Sequence, residues 1–128
     1  MMNVGEHAAH PRNMKRLSSP NGVGRAQVEG DTVFLEIAIK AIDGMIVETS
    51  FDSFLCGFAI GLCSMLTERI KGRSLDEAQS VSAEELLAEC PGIPEGKRDY
   101  AATAVNALRA AVTQVKQTSS LTSQPSQT

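Results

Sequence analysis

The sequence predicts an α+β fold, a small antiparallel β-sheet of about three strands with helices packed on one face. Two observations carry that expectation. Two alternating apolar/polar runs flank the dipeptide Asp43-Gly44, and every segment of helical period lies C-terminal to them. With 128 residues the chain has the length for one core.

Residues 1–19 are polar and aperiodic and form an N-terminal arm. His7 and His10 have the spacing of metal ligands on a helix, but Pro11 disfavours helix at His10, so an arm without a metal is the competing reading. The body spans residues 20–117. Pro20, Asn21, Gly22 and Gly24 make a turn-rich connector, and Arg25 to Val28 a short strand. After a kink at Glu29-Gly30-Asp31, a strand runs from Thr32 to Lys40, with Val33, Leu35, Ile37 and Ile39 on one face. Asp43-Gly44 is a hairpin signal. In the next strand Met45, Val47, Thr49 and Phe51 share one side, and Ile46, Glu48, Ser50 and Asp52 the other.

The cover is helical. From Cys56 onward, Ala59, Leu62, Cys63, Leu66 and Ile70 form one apolar stripe, which places Cys63 in the core. Gly72 stands in the position that ends such a helix. Ser74 to Glu77 and Ser82 to Glu85 have the form of capping boxes, with Val81 and Leu86 as a hydrophobic staple on the second. That helix stops at Cys90-Pro91-Gly92. The last helix runs from near Arg98 to about Gln117. Ala101, Ala104, Val105, Leu108, Ala111, Val112 and Val115 form its buried face, and its alanines allow a neighbour to approach closely. Residues 118–128 form a polar low-complexity tail, expected to be disordered.

Composition narrows the function. A net charge of −3, no Trp and one Tyr give no basic patch and no stacking platform, so nucleic acid is not expected as a partner. No apolar run is long enough for a bilayer, and the N-terminus lacks the apolar region of a secretory signal, so a cytoplasmic protein with no membrane partner is expected. Three cysteines without a CxxC pair argue for a reducing compartment. No Ser/His/Asp or Cys/His set is present in the body, so the chain is not read as an enzyme. Cys56 at the first turn of a helix lies near unpaired N–H groups and the positive helix end, which favour its thiolate; a small buried apolar residue is the alternative.

Several stretches carry a resemblance. His10-Pro11-Arg12-Asn13 looks like an NPRN motif, and Gly30-Asp31 like the end of Cys-Gly-Asp. Phe54-Leu55-Cys56-Gly57-Phe58-Ala59-Ile60 looks like an aromatic-x-Cys-Gly-x-Ala-Ile turn. Ser64 to Glu68, followed by Ile70 to Ala78, looks like S-hydrophobic-hydrophobic-T-E and KGKSLDEA, and Ala107 to Val112 like the end of a last helix. In these segments the chain resembles the IscU and NifU N-terminal iron–sulfur cluster scaffolds, from about His7 to Val115. The resemblance implies a SufE/NifU-like fold and a role in iron–sulfur cluster assembly.

It also implies a site, with changes. Glu29 stands where the family has its first cysteine. Asp31 and Cys56 are kept, and Asp99 and Tyr100 stand where the family has a histidine and its third cysteine. Ile93, Pro94 and Lys97 fall in the family's partner-binding loop, of which one proline and the lysine remain. Clusters are held mainly by thiolates. A site with one thiolate, carboxylates and a phenol suits a single divalent ion such as iron or zinc as the alternative. Glu29 and Asp99 as solvated loop charges, with Lys97 or Arg98 as pairing partners, is the alternative of equal weight. Cys90 is either a second thiolate or a structural cysteine. The expected partners are a cysteine desulfurase or other iron–sulfur assembly proteins, with a homo-oligomer also open. A member of the fold that holds no cluster and serves as an interaction module is the competing reading.

Overall fold

The computed structural model describes residues 13–14, 17–27, 34–53, 57–90 and 98–123. Its order is β1 (Gly22–Gln27), β2 (Phe34–Ile42), β3 (Met45–Ser53), α1 (Gly57–Ile70), α2 (Leu75–Gln79), α3 (Ala83–Ala88) and α4 (Asp99–Ser123). The strands form an antiparallel sheet in the order β1-β2-β3. Helix α4 packs across β1 and β2, α1 packs on β3 beside α4, and α2 and α3 pack against α4. Strands thus precede helices, and the expected α+β architecture holds. None of the described helices is long and apolar enough to cross a membrane.

Periodicity places the core. Leu35, Ile37 and Ile39 of β2 are buried toward the helices, as their alternation requires. The α1 stripe of Ala59, Leu62, Cys63, Leu66 and Ile70 is also buried, as is the α4 face from Ala101 to Val115. Asp43 and Gly44 both adopt positive φ (53° and 79°) between the paired Ile42 and Met45, the two-residue turn expected of Asp-Gly. Gly72 (φ 84°) ends α1 in the left-handed region, and its N–H donates to the Ile46 carbonyl.

Four expectations are corrected. Gly22 and Gly24 are strand rather than connector residues. A Cβ on Gly22 would meet the Ala111 carbonyl oxygen and Val115, and one on Gly24 the Ala107 carbonyl oxygen. The glycines therefore let β1 lie against the backbone of α4, while the Val23 N–H donates to Gln114 Oε1 at 2.6 Å. This contact also occupies an N–H of an edge strand. In β3 the facing changes at a register shift between Lys40 and Ala41. Lys40 pairs with Glu48 and Ala41 with Ile46, so Val47 is the extra residue. Ile46 is consequently buried, while Met45 and Val47 are exposed. The second capping box is half formed. Ser82 Oγ accepts from the Glu85 N–H, but the Glu85 carboxylate pairs with Arg69 at 2.8 Å. At Ser74 both reciprocal bonds are present. Finally, α4 continues to Ser123, because no glycine or proline interrupts the sequence before Pro125.

The segment before β1 belongs to this body. The Phe51 N–H donates to the Asn13 carbonyl at 3.0 Å on the β3 edge, Leu17 is buried, and at the bulge the Asn21 side-chain amide donates to the Ala41 carbonyl at 2.7 Å and accepts from the Ala41 N–H at 2.9 Å. These contacts carry the chain from the β3 edge to the start of β1 across the sheet face opposite the helices.

Candidate functional site

The strand register gathers the anchors of the candidate site. Gln27 pairs with Phe34, and Leu35 with Ser53, so the connections 28–33 and 54–56 leave from the same end of the sheet. Helix α4 runs antiparallel to β1, since Gly22 lies over Ala111 and Val115 while Gly24 lies over Ala107 and Ala110. Three strand residues beyond Gly24 advance about 10 Å to Gln27. Seven helix residues back from Ala107 cover about 10 Å to Tyr100. The start of α4 therefore comes level with Gln27 and Ser53. At this end the Arg25 guanidinium pairs with Glu36 at 2.5 Å and lies 5.2 Å from the centre of the Phe34 ring.

Glu29, Asp31 and Cys56, together with the loop residues Ile93, Pro94 and Lys97, lie outside the described residues, as do His7 and His10. The two other predicted ligands are described, and they differ. Asp99 is exposed as the first residue of α4, where its carboxylate sits at the positive end of the helix dipole. Its backbone carbonyl accepts a bond from Thr103 Oγ1 at 3.0 Å. Tyr100, only 6% exposed, belongs to the hydrophobic core. Successive helix residues point about 100° apart, so Asp99 meets solvent where Tyr100 turns inward. Asp99 can meet an incoming ion, whereas the Tyr100 ring is engaged in packing. Among the described residues no group of three or more His, Cys, Asp or Glu side chains gathers to hold a metal.

The other two cysteines are packing residues. Cys63 is fully buried, and burial pushes its thiol up to about 12, so it remains protonated at neutral pH. Cys90 is also buried and donates to Met65 Sδ at 3.6 Å. Burial, and then the neighbouring Glu89 charge, raise its pKa as well. Neither offers the accessible thiolate that sulfur or metal chemistry requires. Both described cysteines are thus packing residues; the third, Cys56, lies outside the described residues.

Sequence reasoning missed the tie that holds the N-terminal segment behind this end. Asn13 Nδ2 donates to Thr67 Oγ1 at 3.1 Å, Thr67 Oγ1 donates to the Cys63 carbonyl at 2.7 Å, and Thr49 Oγ1 donates to the Thr67 carbonyl at 3.2 Å. Asn13 adopts a positive φ of 66°, which asparagine tolerates better than most residues. The available signal was Thr67, a polar residue buried in an otherwise apolar stretch of α1.

Three comparisons bear on this arrangement. The family described as "NifU-like N terminal domain" matches residues 1–121. The chain is 32% identical over 111 residues to the iron–sulfur cluster assembly scaffold protein IscU 1 of Archaeoglobus fulgidus, covering 85% of this chain and 71% of that protein. It is 34% identical over 119 residues to the iron–sulfur cluster assembly enzyme IscU of Drosophila melanogaster, covering 89% and 76%. The fold superimposes on the crystal structure of a nitrogen-fixing NifU-like protein (N-terminal) from Brucella abortus with a TM-score of 0.73, at 13% identity, covering 89% of this chain and 92% of that one. With an α+β body of the same fold and sequence likeness over most of its length, the chain belongs to the NifU-like N-terminal domain family.

Proposed function

We propose that this protein takes part in iron–sulfur cluster assembly, accepting iron, sulfur or a cluster as cargo at the sheet end that carries Cys56. The observation that supports this most is the convergence of anchors. Gln27 and Phe34 bound the segment bearing Glu29 and Asp31, Ser53 and Gly57 bound the one bearing Cys56, and α4 begins at Asp99 at the same end of the body. The relatives named as assembly scaffolds support the same reading. In it, Cys56 supplies the thiolate, Asp31, Glu29 and Asp99 supply oxygen ligands, and Ile93, Pro94 and Lys97 meet a partner. That partner is a cysteine desulfurase or another iron–sulfur assembly protein, encountered in the cytoplasm. The work is binding and hand-over rather than turnover of a small molecule. The working unit belongs to the same proposal; its expected limits of 20–117 widen to take in Asn13 and Leu17, which pack on the body, and α4 as far as Ser123.

One observation favours a narrower reading. Tyr100 lies in the core, which leaves Cys56 with carboxylates as its described and candidate companions. Such a set suits one divalent ion, iron or zinc, better than a cluster, or it leaves the fold as an interaction module without cargo.

Anaerobic reconstitution with iron, sulfide and a desulfurase separates these readings. A sulfide-to-iron charge-transfer band that is lost in Cys56→Ser supports cluster assembly. About one metal ion per chain, without that band and lost in Glu29→Ala or Asp99→Ala, supports the mononuclear site. Neither band nor metal in the desalted protein overturns the proposal in favour of an interaction module.

A further inference from the structure

The sheet face opposite the helices carries a groove that the assembly reading does not use. Its volume is about 240 Å³, with Met14, Leu17 and Pro20 above it and Ala38, Ser50 and Asp52 on its floor. Ser50 is only 3% exposed, yet its hydroxyl has no hydrogen-bond partner among the described residues. Buried hydroxyls are nearly always paired, so an orphan facing a groove calls for a guest. Beside it Asp52 stands directly across from Glu36 in the β2–β3 register. Like charges in that relation repel. Glu36 is answered by Arg25 at 2.5 Å, whereas Asp52 has no cationic partner among the described residues.

We propose that this groove binds a small aliphatic primary ammonium ion. An ammonium carries three donors and no acceptor, so it can satisfy the Ser50 oxygen and the Asp52 carboxylate together. Its alkyl chain lies along Met14, Leu17, Pro20 and Ala38, the apolar part of the lining. A divalent metal fits less well, because it requires six or more oxygen ligands and Asp52 is the one carboxylate here without an ion pair. An anion is excluded by the two acids.

The test is a titration of the full chain with n-butylammonium chloride, followed by amide chemical shifts in nuclear magnetic resonance. Sodium chloride and 1-butanol serve as controls for ionic strength and for the alkyl chain. The expected result is saturable shifts centred on Ala38, Ser50 and Asp52, with 1-butanol giving none. Losing a hydrogen bond to a charged group weakens affinity about tenfold, the effect expected of Asp52→Asn. Ser50→Ala gives a smaller loss. Amide dispersion of each variant reports whether it is folded, and a fall in wild-type affinity with added salt tests the charge contribution without any variant. The proposal is overturned by absence of saturation, by equal shifts with 1-butanol, or by full affinity in folded Asp52→Asn. It is equally overturned if binding emerges only after Lys15→Ala and Arg16→Ala, which would mean that the chain's own cations fill the groove.

Discussion

The two ends of the sheet are built differently. At the hairpin end, Asp43-Gly44 turns the chain in two residues. Residues 72–74 then pair with the start of β3 through the Ile46–Arg73 and Gly72–Ile46 backbone bonds and the Met45–Ser74 bridge. At the other end, the connections after β1 and β3 are longer and lead into helices or hold acids, and the last helix starts there. The first end closes the body, while the second is where we propose the cargo site, in keeping with the usual division between scaffold and connecting segments. Substitutions in the packed body should therefore move stability, and substitutions at the second end should move cargo loading.

The largest effect is expected in the core. Leu66→Ala removes a fully buried side chain between sheet and helices and should cost about 2–5 kcal/mol in denaturant unfolding. If loading per folded molecule also collapses, the two ends are not independent. Gly24→Ala comes next. Its Cβ collides with the α4 backbone at Ala107, and overpacking of this kind costs roughly 1–3 kcal/mol.

The third expectation concerns pH. Burial raises the Cys63 thiol from its ordinary 9.0 to about 12 in the folded protein, so the folded state keeps a proton that the unfolded chain has already released. Stability from this group is whole below the unfolded value and falls as pH rises through the window between the two. The slope is about 1.4 kcal/mol per pH unit. Unfolding midpoints measured at alkaline pH should show this loss in wild type, and it should vanish in Cys63→Ala.

Smaller still, Ser74→Ala removes a complete capping box and should cost about 1 kcal/mol, and Ser82→Ala should cost less, since its box lacks the reciprocal bond. The smallest effect falls at the other end. Asp99→Ala, exposed at the start of α4, should leave stability within about 0.5 kcal/mol. A larger loss would mean that Asp99 is structural.

The same contrast explains what could be read from the chain. The apolar stripes of α1 and α4, the alternation in β2, the Asp43-Gly44 turn and the first capping box follow from local periods and turn chemistry, and they are present as expected. What local reasoning missed depends on distant partners. Gly22 and Gly24 read as turn residues until α4 lies across them. Val47 reads as sharing a face with Thr49 and Phe51 until the bulge shifts the register. In the second capping box the Glu85 carboxylate reaches the Ser82 hydroxyl and the distant Arg69 rather than the Ser82 backbone N–H. At the candidate site the resemblance supplied Asp99 and Tyr100 as neighbours with one role. Helical geometry separates them, sending Asp99 to solvent and Tyr100 into the core. Cys63 was readable as a core residue from its place on the α1 stripe, because burial of a thiol follows the same apolar period as burial of leucine, whereas Cys90, beyond the end of α3, was open between a thiolate and a structural role until its burial settled it.

We propose that one cysteine, Cys56, carries the sulfur chemistry, while Cys63 and Cys90 are buried in the core. The most direct measurement is anaerobic incubation of the native protein with a cysteine desulfurase and cysteine, followed by mass-spectrometric mapping of persulfide. The account predicts persulfide on Cys56, with Cys63 and Cys90 unmodified until the protein is unfolded. Persulfide on Cys63 or Cys90 in the native protein, or none on Cys56, would contradict it.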